Sequence, residues 1–309
     1  MFIRQQAFTG KKVKLLKGGL HCHTTRSDGK AQPDECIRLH AANGYDFLAL
    51  TDHRYYNYAN YAPETDVLIV PGMEMDGNLT GDDKGMCFHI VAVGPEADKN
   101  GYKQDERLNS VRVKDQYEFQ PVVDSIRAHN NLAIYCHPDW SRTPARSFED
   151  IKGCFAMEIW NSGCVIETDT DVDNGFIWDE LLMNGKRIYC VATDDGHAVY
   201  QHCKGWVRVK AEKNVESILR ALENGEYYSS TGPEIYDFYV EDGVAHVECS
   251  NARMIHFITA LRPTGVLKPA EGEYLTHGEA KLNDKFKYVR VVVEDENGRR
   301  AWSNPIWLK

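Results

Sequence analysis

The sequence predicts an α/β barrel followed by a small antiparallel β module. Two observations predict the barrel: apolar strand-like runs alternate with amphipathic helical segments up to about residue 232, and titratable residues gather at the ends of those runs. The third observation concerns the tail. Past Gly232-Pro233 the runs Ile235–Val240, Val244–Val247, Ile255–Ala260 and Tyr288–Val293 follow one another with no helical pattern between them, and Glu296-Asn297-Gly298 is a hairpin signal. The expected division is therefore 1–232 for the barrel and 233–309 for the β module.

Elements can be justified in chain order. Leu20-His21-Cys22-His23 closes a short leading strand, and side chains at i and i+2 of a strand share a face, so His21 and His23 project together. Asp28-Gly29 reads as a turn that can swing a carboxylate back towards them. Pro33 and Gly44 bracket a helix at the positions where proline starts and glycine stops one. Phe47–Leu50 and Val67–Val70 are continuous apolar runs, the mark of strands buried on both faces, and they end in Thr51-Asp52-His53 and Pro71-Gly72-Met73-Glu74. Phe88–Gly94 is a further strand, exceptional in carrying His89 near its start. Residues 95–115 are polar and patternless and read as loop. Phe119, Val122, Val123 and Ile126 recur at helical spacing within Tyr117–Asn130. Leu132–Cys136 ends in His137-Pro138, Phe155–Trp160 carries Glu158 and ends at Asn161, and Arg187–Ala192 ends in Thr193-Asp194-Asp195-Gly196-His197. Helices are expected over Val172–Asn184 and Val215–Leu222.

Composition excludes several classes. Apolar content of 42% and charged content of 27% are those of a globular protein, and the net charge of −10 argues against a nucleic-acid scaffold. Nine cysteines without a Cys-x-x-Cys pair fit a reducing cytoplasm better than a disulfide framework. No stretch approaches the ~20 apolar residues of a membrane span, and the start lacks the apolar core of a signal peptide, so a cytoplasmic location is expected.

Six histidines (His21, His23, His53, His89, His137, His197) and three carboxylates (Asp28, Glu74, Asp195) thus fall near strand ends. Imidazole plus carboxylate without thiolate favours Zn, Mn or Fe, and nine donors exceed the needs of one ion. Two or three divalent ions is the simpler account. Clustered ions suit phosphate-ester hydrolysis through a metal-activated water, and no Gly-x-Ser-x-Gly elbow or phosphate-cradling glycine loop competes with that reading. Arg26, Arg142 and Arg146 lie near these residues in sequence and could hold a phosphate.

The series His21-Cys22-His23 with Ser27-Asp28-Gly29, Thr51-Asp52-His53, Gly72-Met73-Glu74, His89, Cys136-His137-Pro138 and Asp195-Gly196-His197 resembles the PHP (polymerase and histidinol phosphatase) superfamily. The resemblance implies a distorted (β/α)7 barrel with a two- or three-metal centre. It implies one ion on His21, His23, Glu74 and Asp195, a second on Glu74, His89 and His137, and a third on Asp28, His53 and His197. Tyr227–Pro233 and the ending Gly298–Trp307 resemble the narrower branch of metallohydrolases related to carbaryl hydrolase, whose members act on carbamate or amide bonds as well as phosphoesters. The stretch between Asp28 and His137 leaves no room for the large inserted domain of some nucleotide-cleaving relatives.

Around this set, Asp52 is a candidate base, ligand or acceptor that orients an imidazole. Glu158 and Asn161 could touch substrate or bond within the barrel mouth, and His202 is a candidate substrate contact. His40 and His129 read as structural. Tyr55, Tyr56, Tyr58 and Tyr61 could line a pocket or cover the rim. The leading expectation is a phosphoesterase acting on a small phosphorylated metabolite, with a carbamate, amide or ester hydrolase as the alternative and a catalytically silent metal-binding module as the third reading.

Overall fold

The computed structural model describes residues 2–5, 7–8, 14–81, 84–260 and 263–309. It is a mixed α/β protein whose described strands form three sheets. One sheet runs in the order β10 (Tyr189–Thr193), β9 (Cys154–Asn161), β8 (Leu132–Tyr135), β6 (Cys87–Val93), β5 (Gly72–Leu79), β7 (Val111–Val113). The largest runs β4 (Leu68–Ile69), β3 (Phe47–Leu48), β2 (Leu16–Gly19), β11 (Trp206–Val209), β12 (Tyr227–Ser230), β19 (Arg300–Ser303), β18 (Tyr288–Glu294), β15 (Met254–Ile258), β16 (Pro263–Leu267), with β20 (Ile306–Trp307) pairing β18. A third joins β1 (Phe2–Arg4), β13 (Ile235–Glu241), β14 (Val244–Ala252) and β17 (Leu275–Lys281).

The α/β class is as expected, but the distorted (β/α)7 barrel is not shown: the described strands form no closed barrel. β6 runs antiparallel to both β5 and β8, and β11 runs antiparallel to β2 and β12. Apolar runs report burial and not direction, so an all-parallel sheet was one reading among several. The first two sheets meet instead through isolated bridges, Cys22 with Gly196 and His53 with Glu74. Both bridges fall at predicted ligand segments. The reversed β6 also accounts for the early His89: the start of β6 lies beside the end of β8, where Ile90 pairs with Tyr135.

The β strands after residue 233 are as expected in kind, but they share a sheet with the first part of the chain. β12 pairs with β19, setting Tyr228 opposite Ser303, and β1 pairs with β13. The Glu296-Asn297-Gly298 turn joins β18 to β19, with Gly298 at φ 75°.

Helices follow their sequence signals closely. α1 (Pro33–Ala42) begins on Pro33 and stops before Gly44 at φ 72°. α2 (Gln116–Ala128) is capped by Asp115, whose side chain accepts from the Tyr117 and Glu118 N–H groups at 2.9 and 3.0 Å. α4 (Gly175–Met183) and α5 (Val215–Glu223) match two expected segments, and Asn214 caps α5 by accepting from the Ser217 N–H at 2.8 Å. α3 (Ser162–Thr168) was not anticipated; seven residues hold too little pattern to show. Among the described residues no helix is long and apolar enough to cross a membrane.

Between the two large sheets lies a core of Leu16, Leu20, Phe47, Val70, Val91, Ile134 and Val191, directly under the ligand segments. Each such side chain contributes about 1.5–3 kcal/mol on burial. α4 is fastened to β18 by a buried ion pair. Arg290 donates from Nε to Asp179 Oδ1 at 2.8 Å and from Nη2 to Oδ2 at 2.6 Å, and the Tyr288 hydroxyl adds a bond at 3.0 Å. Removing one partner leaves a buried charge alone, so Asp179→Ala is expected to lower the unfolding free energy by about 3–5 kcal/mol. Denaturant titration checks this, and a loss below about 1 kcal/mol would show that the pair does not fasten the two parts.

Candidate metal centre

Every one of the nine sequence-selected donors lies at one end of the core, and their nitrogens and oxygens face each other. His21 Nε2 and His23 Nε2 are 3.1 Å apart. Asp195 Oδ1 stands 3.2 and 3.0 Å from them, and Glu74 approaches them at 3.4 and 3.2 Å. Glu74 also meets His53 Nδ1 at 2.9 Å, His89 Nδ1 at 2.9 Å and His137 Nε2 at 3.4 Å. Asp28 completes an outer corner, 3.5 Å from His23 Nδ1, 3.6 Å from His53 Nε2 and 3.4 Å from His197 Nε2. Glu74 is thus the shared member of the inner groups, while Asp28, His53 and His197 form the more open one.

The donors fit divalent ions on two grounds. Two atoms bonded to one ion at about 2.0–2.2 Å, at angles of about 90–110°, stand roughly 2.8–3.6 Å apart, which matches the spacing within the inner group. More telling, His53 Nδ1, Glu74 Oε2 and Asp195 Oδ1 are buried and make no hydrogen bond. Buried polar atoms are nearly always partnered, so three such atoms within one cluster fit a place that an ion would fill. His21, His23, Glu74 and Asp195 form one candidate set, and His23, Asp28, His53 and His197 another.

Backbone geometry and an outer layer of bonds hold the donors still. His137 and Asp195 both lie in the left-handed region, at φ 28° and 48°, a conformation that non-glycine residues adopt only when their surroundings enforce it. Glu158 is fully buried, and its Oε1 meets His21 Nδ1 at 2.7 Å. Its Oε1 also accepts from the Thr193 hydroxyl at 2.6 Å, and its Oε2 accepts from the His137 backbone N–H at 2.9 Å and the Asn161 amide at 2.8 Å. Asn161 donates from the same nitrogen to Asp195 Oδ2 at 3.0 Å. Of the alternatives open for Glu158 and Asn161, the structure selects bonding within the site.

Asp52 is likewise buried. It accepts from the Thr24 and Ser27 N–H groups at 2.8 and 3.1 Å and from both their hydroxyls at 2.8 Å, so it shapes the loop from His23 to Asp28 and reaches the His23 ring only through Ser27. Gly29 permits that loop's tight return, since a Cβ there would stand 2.6 Å from the His23 carbonyl group. Asp194, beside Asp195, accepts from the N–H groups of Cys203, Lys204 and Gly205 at 2.6–2.8 Å.

Above the donors opens a cleft of about 350 Å³, lined by Asp28, His53, Glu74, His89, His137, Asp195 and His197, with Trp140, Gly163, Cys164, Glu167 and Gln201. Trp140 stands edge-on to His137, ring centres 5.1 Å apart. Sequence reading missed Trp140 and the α3 wall because neither belongs to a periodic segment. Arg26, Arg142, Asp52 and His202 are not among the lining residues. Arg26 bonds to Tyr61 and Asp105, Arg142 is exposed with Asp139 as its nearest acid at 3.9 Å, and His202 is buried behind the donors. Tyr56 is wholly buried and bonds to Asn131 at 2.5 Å, so it is core and not pocket wall.

Charge in the cluster is strongly coupled. Burial works against a proton on His23, yet the Asp195 and Glu74 carboxylates facing its ring outweigh it and push its pKa up to about 10. His21 is also raised, burial being overcome by Asp195, Glu74 and Glu158. Burial would raise Glu74, but the His21, His53 and His89 charges hold it well below the usual carboxylate range. Asp195 is depressed too, burial giving way to His21 and His23.

No family model and no curated protein matches the chain. Solved structures give distant likenesses. A two-domain protein from Bacteroides vulgatus containing a predicted PHP-like metal-dependent phosphoesterase shares 13% identity at a TM-score of 0.49, over 98% of this chain and 91% of that one. A protein from Bifidobacterium adolescentis named as a metal-dependent phosphoesterase shares 12% at 0.41, over 58% and 87%. An amidohydrolase from Chromobacterium violaceum, solved with sulfate and no metal, shares 15% at 0.39, over 59% and 87%. At these values the likenesses decide nothing about chemistry.

Two outcomes are expected. The raised His23 keeps its proton through neutral pH, so this part of the metal-free stability is complete below about pH 6.5 and fades as pH rises through about 10, while the depressed carboxylates contribute above their ordinary range and fade in acid. An incoming ion must displace the imidazole proton, so zinc uptake at pH 7.5 should release protons and tighten as pH rises. Calorimetry in buffers of different ionisation heat measures this; equal heats in all buffers would contradict it. Second, Glu158→Gln should weaken metal retention by roughly 10–100-fold by freeing the His21 ring. Equilibrium dialysis with unchanged retention would remove Glu158 from that role.

Proposed function

We propose that the chain is a metal-dependent hydrolase of the PHP type, a phosphoesterase acting on a small phosphorylated metabolite at a two- or three-ion centre. The observation that carries this reading is the inward convergence of six imidazoles and three carboxylates, with Glu74 Oε2, Asp195 Oδ1 and His53 Nδ1 buried and unpartnered beneath an open cleft. His21, His23, Glu74 and Asp195 would hold one ion, Glu74, His89 and His137 a second, and Asp28, His53 and His197 a third. Bound Zn, Mn or Fe would supply Lewis-acid polarisation of a phosphoryl oxygen and a lowered pKa for water.

The residues of the chain supply placement. Glu158 fixes which His21 nitrogen faces the centre, Asp52 fixes the loop bearing Asp28, and Trp140 with α3 walls the cleft against bulk water. Among the described residues no lysine or arginine lines the cleft, so an anionic substrate would find its positive charge in the ions. A volume of about 350 Å³ admits a small metabolite and excludes a polymer strand from its floor. The resemblance of the tail to carbaryl-hydrolase relatives, with Trp140 in the cleft lining, favours a carbamate, amide or ester as the second reading.

Protein loaded with Mn, Fe or Zn is expected to release phosphate from an aryl phosphate and to act far more slowly on the matching aryl carbamate. Turnover of the carbamate alone would select the second reading; turnover of neither, by protein shown to carry metal, would sink both. His137→Ala is expected to reduce activity by more than the roughly 10–100-fold cost of losing a residue that only orients a ligand.

A further inference from the structure

One amide in the cleft wall is buried, fixed in orientation and only half used. Gln201 is 8% exposed, and its Oε1 accepts from the backbone N–H groups of His197 at 3.0 Å and Ala198 at 2.7 Å. Both partners are donors, so the oxygen end of the amide faces the backbone and the nitrogen is the free end. Among the described residues Nε2 makes no hydrogen bond, and Gln201 lines the cleft above the metal donors. Buried donors are nearly always met, so one left over in a cavity wall is met by what fills the cavity.

The rest of the wall narrows what that filling can be. Apart from the metal donors, the lining consists of Gln201 with Trp140, Gly163, Cys164 and Glu167. Glu167 stands exposed on α3 and makes no hydrogen bond or ion pair among the described residues. With no lysine or arginine in the lining to offset it, this carboxylate disfavours a second anionic group on a ligand. A hydroxyl suits both side chains, because it accepts from the Gln201 N–H and donates to the Glu167 carboxylate. Trp140 adds an aromatic surface to the same small space.

We propose that Gln201 is a substrate-recognising residue that reads a hydroxyl on the alcohol part of the ester, which makes polyol or sugar monophosphates the substrate class. The inference rests on the phosphoesterase reading above and narrows it. Gln201 is tied to the backbone of His197, so its free N–H groups sit beside the outer corner of the centre. The ions would take the phosphoryl group, and the amide would take the alcohol. An alcohol part without hydroxyls leaves the Gln201 N–H groups buried and unmet, and that cost is the source of discrimination.

A pair of phosphonates tests this without turnover, because a phosphoesterase does not cut the carbon–phosphorus bond. One is butylphosphonate and the other carries hydroxyls on its last carbons. Calorimetry on the zinc-loaded full chain should show the hydroxylated compound binding roughly 10-fold tighter, as expected when the analogue strands a buried neutral donor. In Gln201→Glu the carboxylate still accepts from His197 and Ala198 but offers no N–H, so the ratio should fall to about one. A wild type that does not discriminate overturns the proposal. So does a Gln201→Glu protein that keeps the ratio, even with both affinities lowered, because Gln201 would then meet the phosphoryl group. Turnover of the matching phosphate esters is read separately. Discrimination without ester turnover would leave Gln201 in its role and remove the phosphoesterase reading; turnover without discrimination would do the reverse.

Discussion

One buried carboxylate sets the terms for the rest of the molecule. Glu74 has no exposure to solvent, yet its oxygens lie within 3.4 Å of His21, His23, His53, His89 and His137. Taking an ionised carboxylate out of water is expensive unless its surroundings supply compensating charge. Five imidazoles from four segments supply it here, and they can do so only if the two large sheets abut at this end. The bridge between His53 and Glu74 and the bridge between Cys22 and Gly196 are where they abut. The meeting of the sheets and the assembly of the centre are one constraint seen twice.

The sequence revealed donors better than directions. Most of the selected residues are polar residues at the end of an apolar run, which packing hardly explains; His89, at the start of its run, and Asp28, in a turn, are the exceptions. Strand sense left no comparable trace. Phe88–Val93 is equally apolar read either way, so its reversal in β6 appears only in the pairing of Asp76 with His89. β5 was hidden for a different reason. Glu74 and Asp76 are inward-facing but charged, so Gly72-Met73-Glu74-Met75-Asp76-Gly77 lacks the contrast that alternation needs.

Carboxylates that serve as supports were the hardest to read. Asp52 and Asp194 stand beside ligands in sequence, and Glu158 lies near a strand end as ligands do, so residue type alone does not set these carboxylates apart from the ligands. What separates them is occupancy. Asp52 and Glu158 have their oxygens filled by N–H and hydroxyl donors or by an imidazole, and Asp194 by three backbone N–H groups, whereas Glu74 Oε2 and Asp195 Oδ1 have no hydrogen-bond partner. A carboxylate whose lone pairs are taken is a brace; one whose lone pairs are free is a ligand. That distinction exists only in three dimensions.

It follows that the centre is built before any ion arrives. Two of its donors, His137 and Asp195, sit on backbone held in the left-handed region, which costs of order 1–3 kcal/mol each and persists only where neighbours enforce it. The enforcing neighbours are identifiable: Glu158 holds the His137 N–H, and Asn161 links Glu158 to Asp195. A site that folded around its metal would have no need of such bonds, since the ion itself would gather the side chains. Here the protein gathers them first, against backbone preference. The free energy of ion binding is then left for holding the ion and not for ordering the chain, which is what the proposed hydrolytic centre would require.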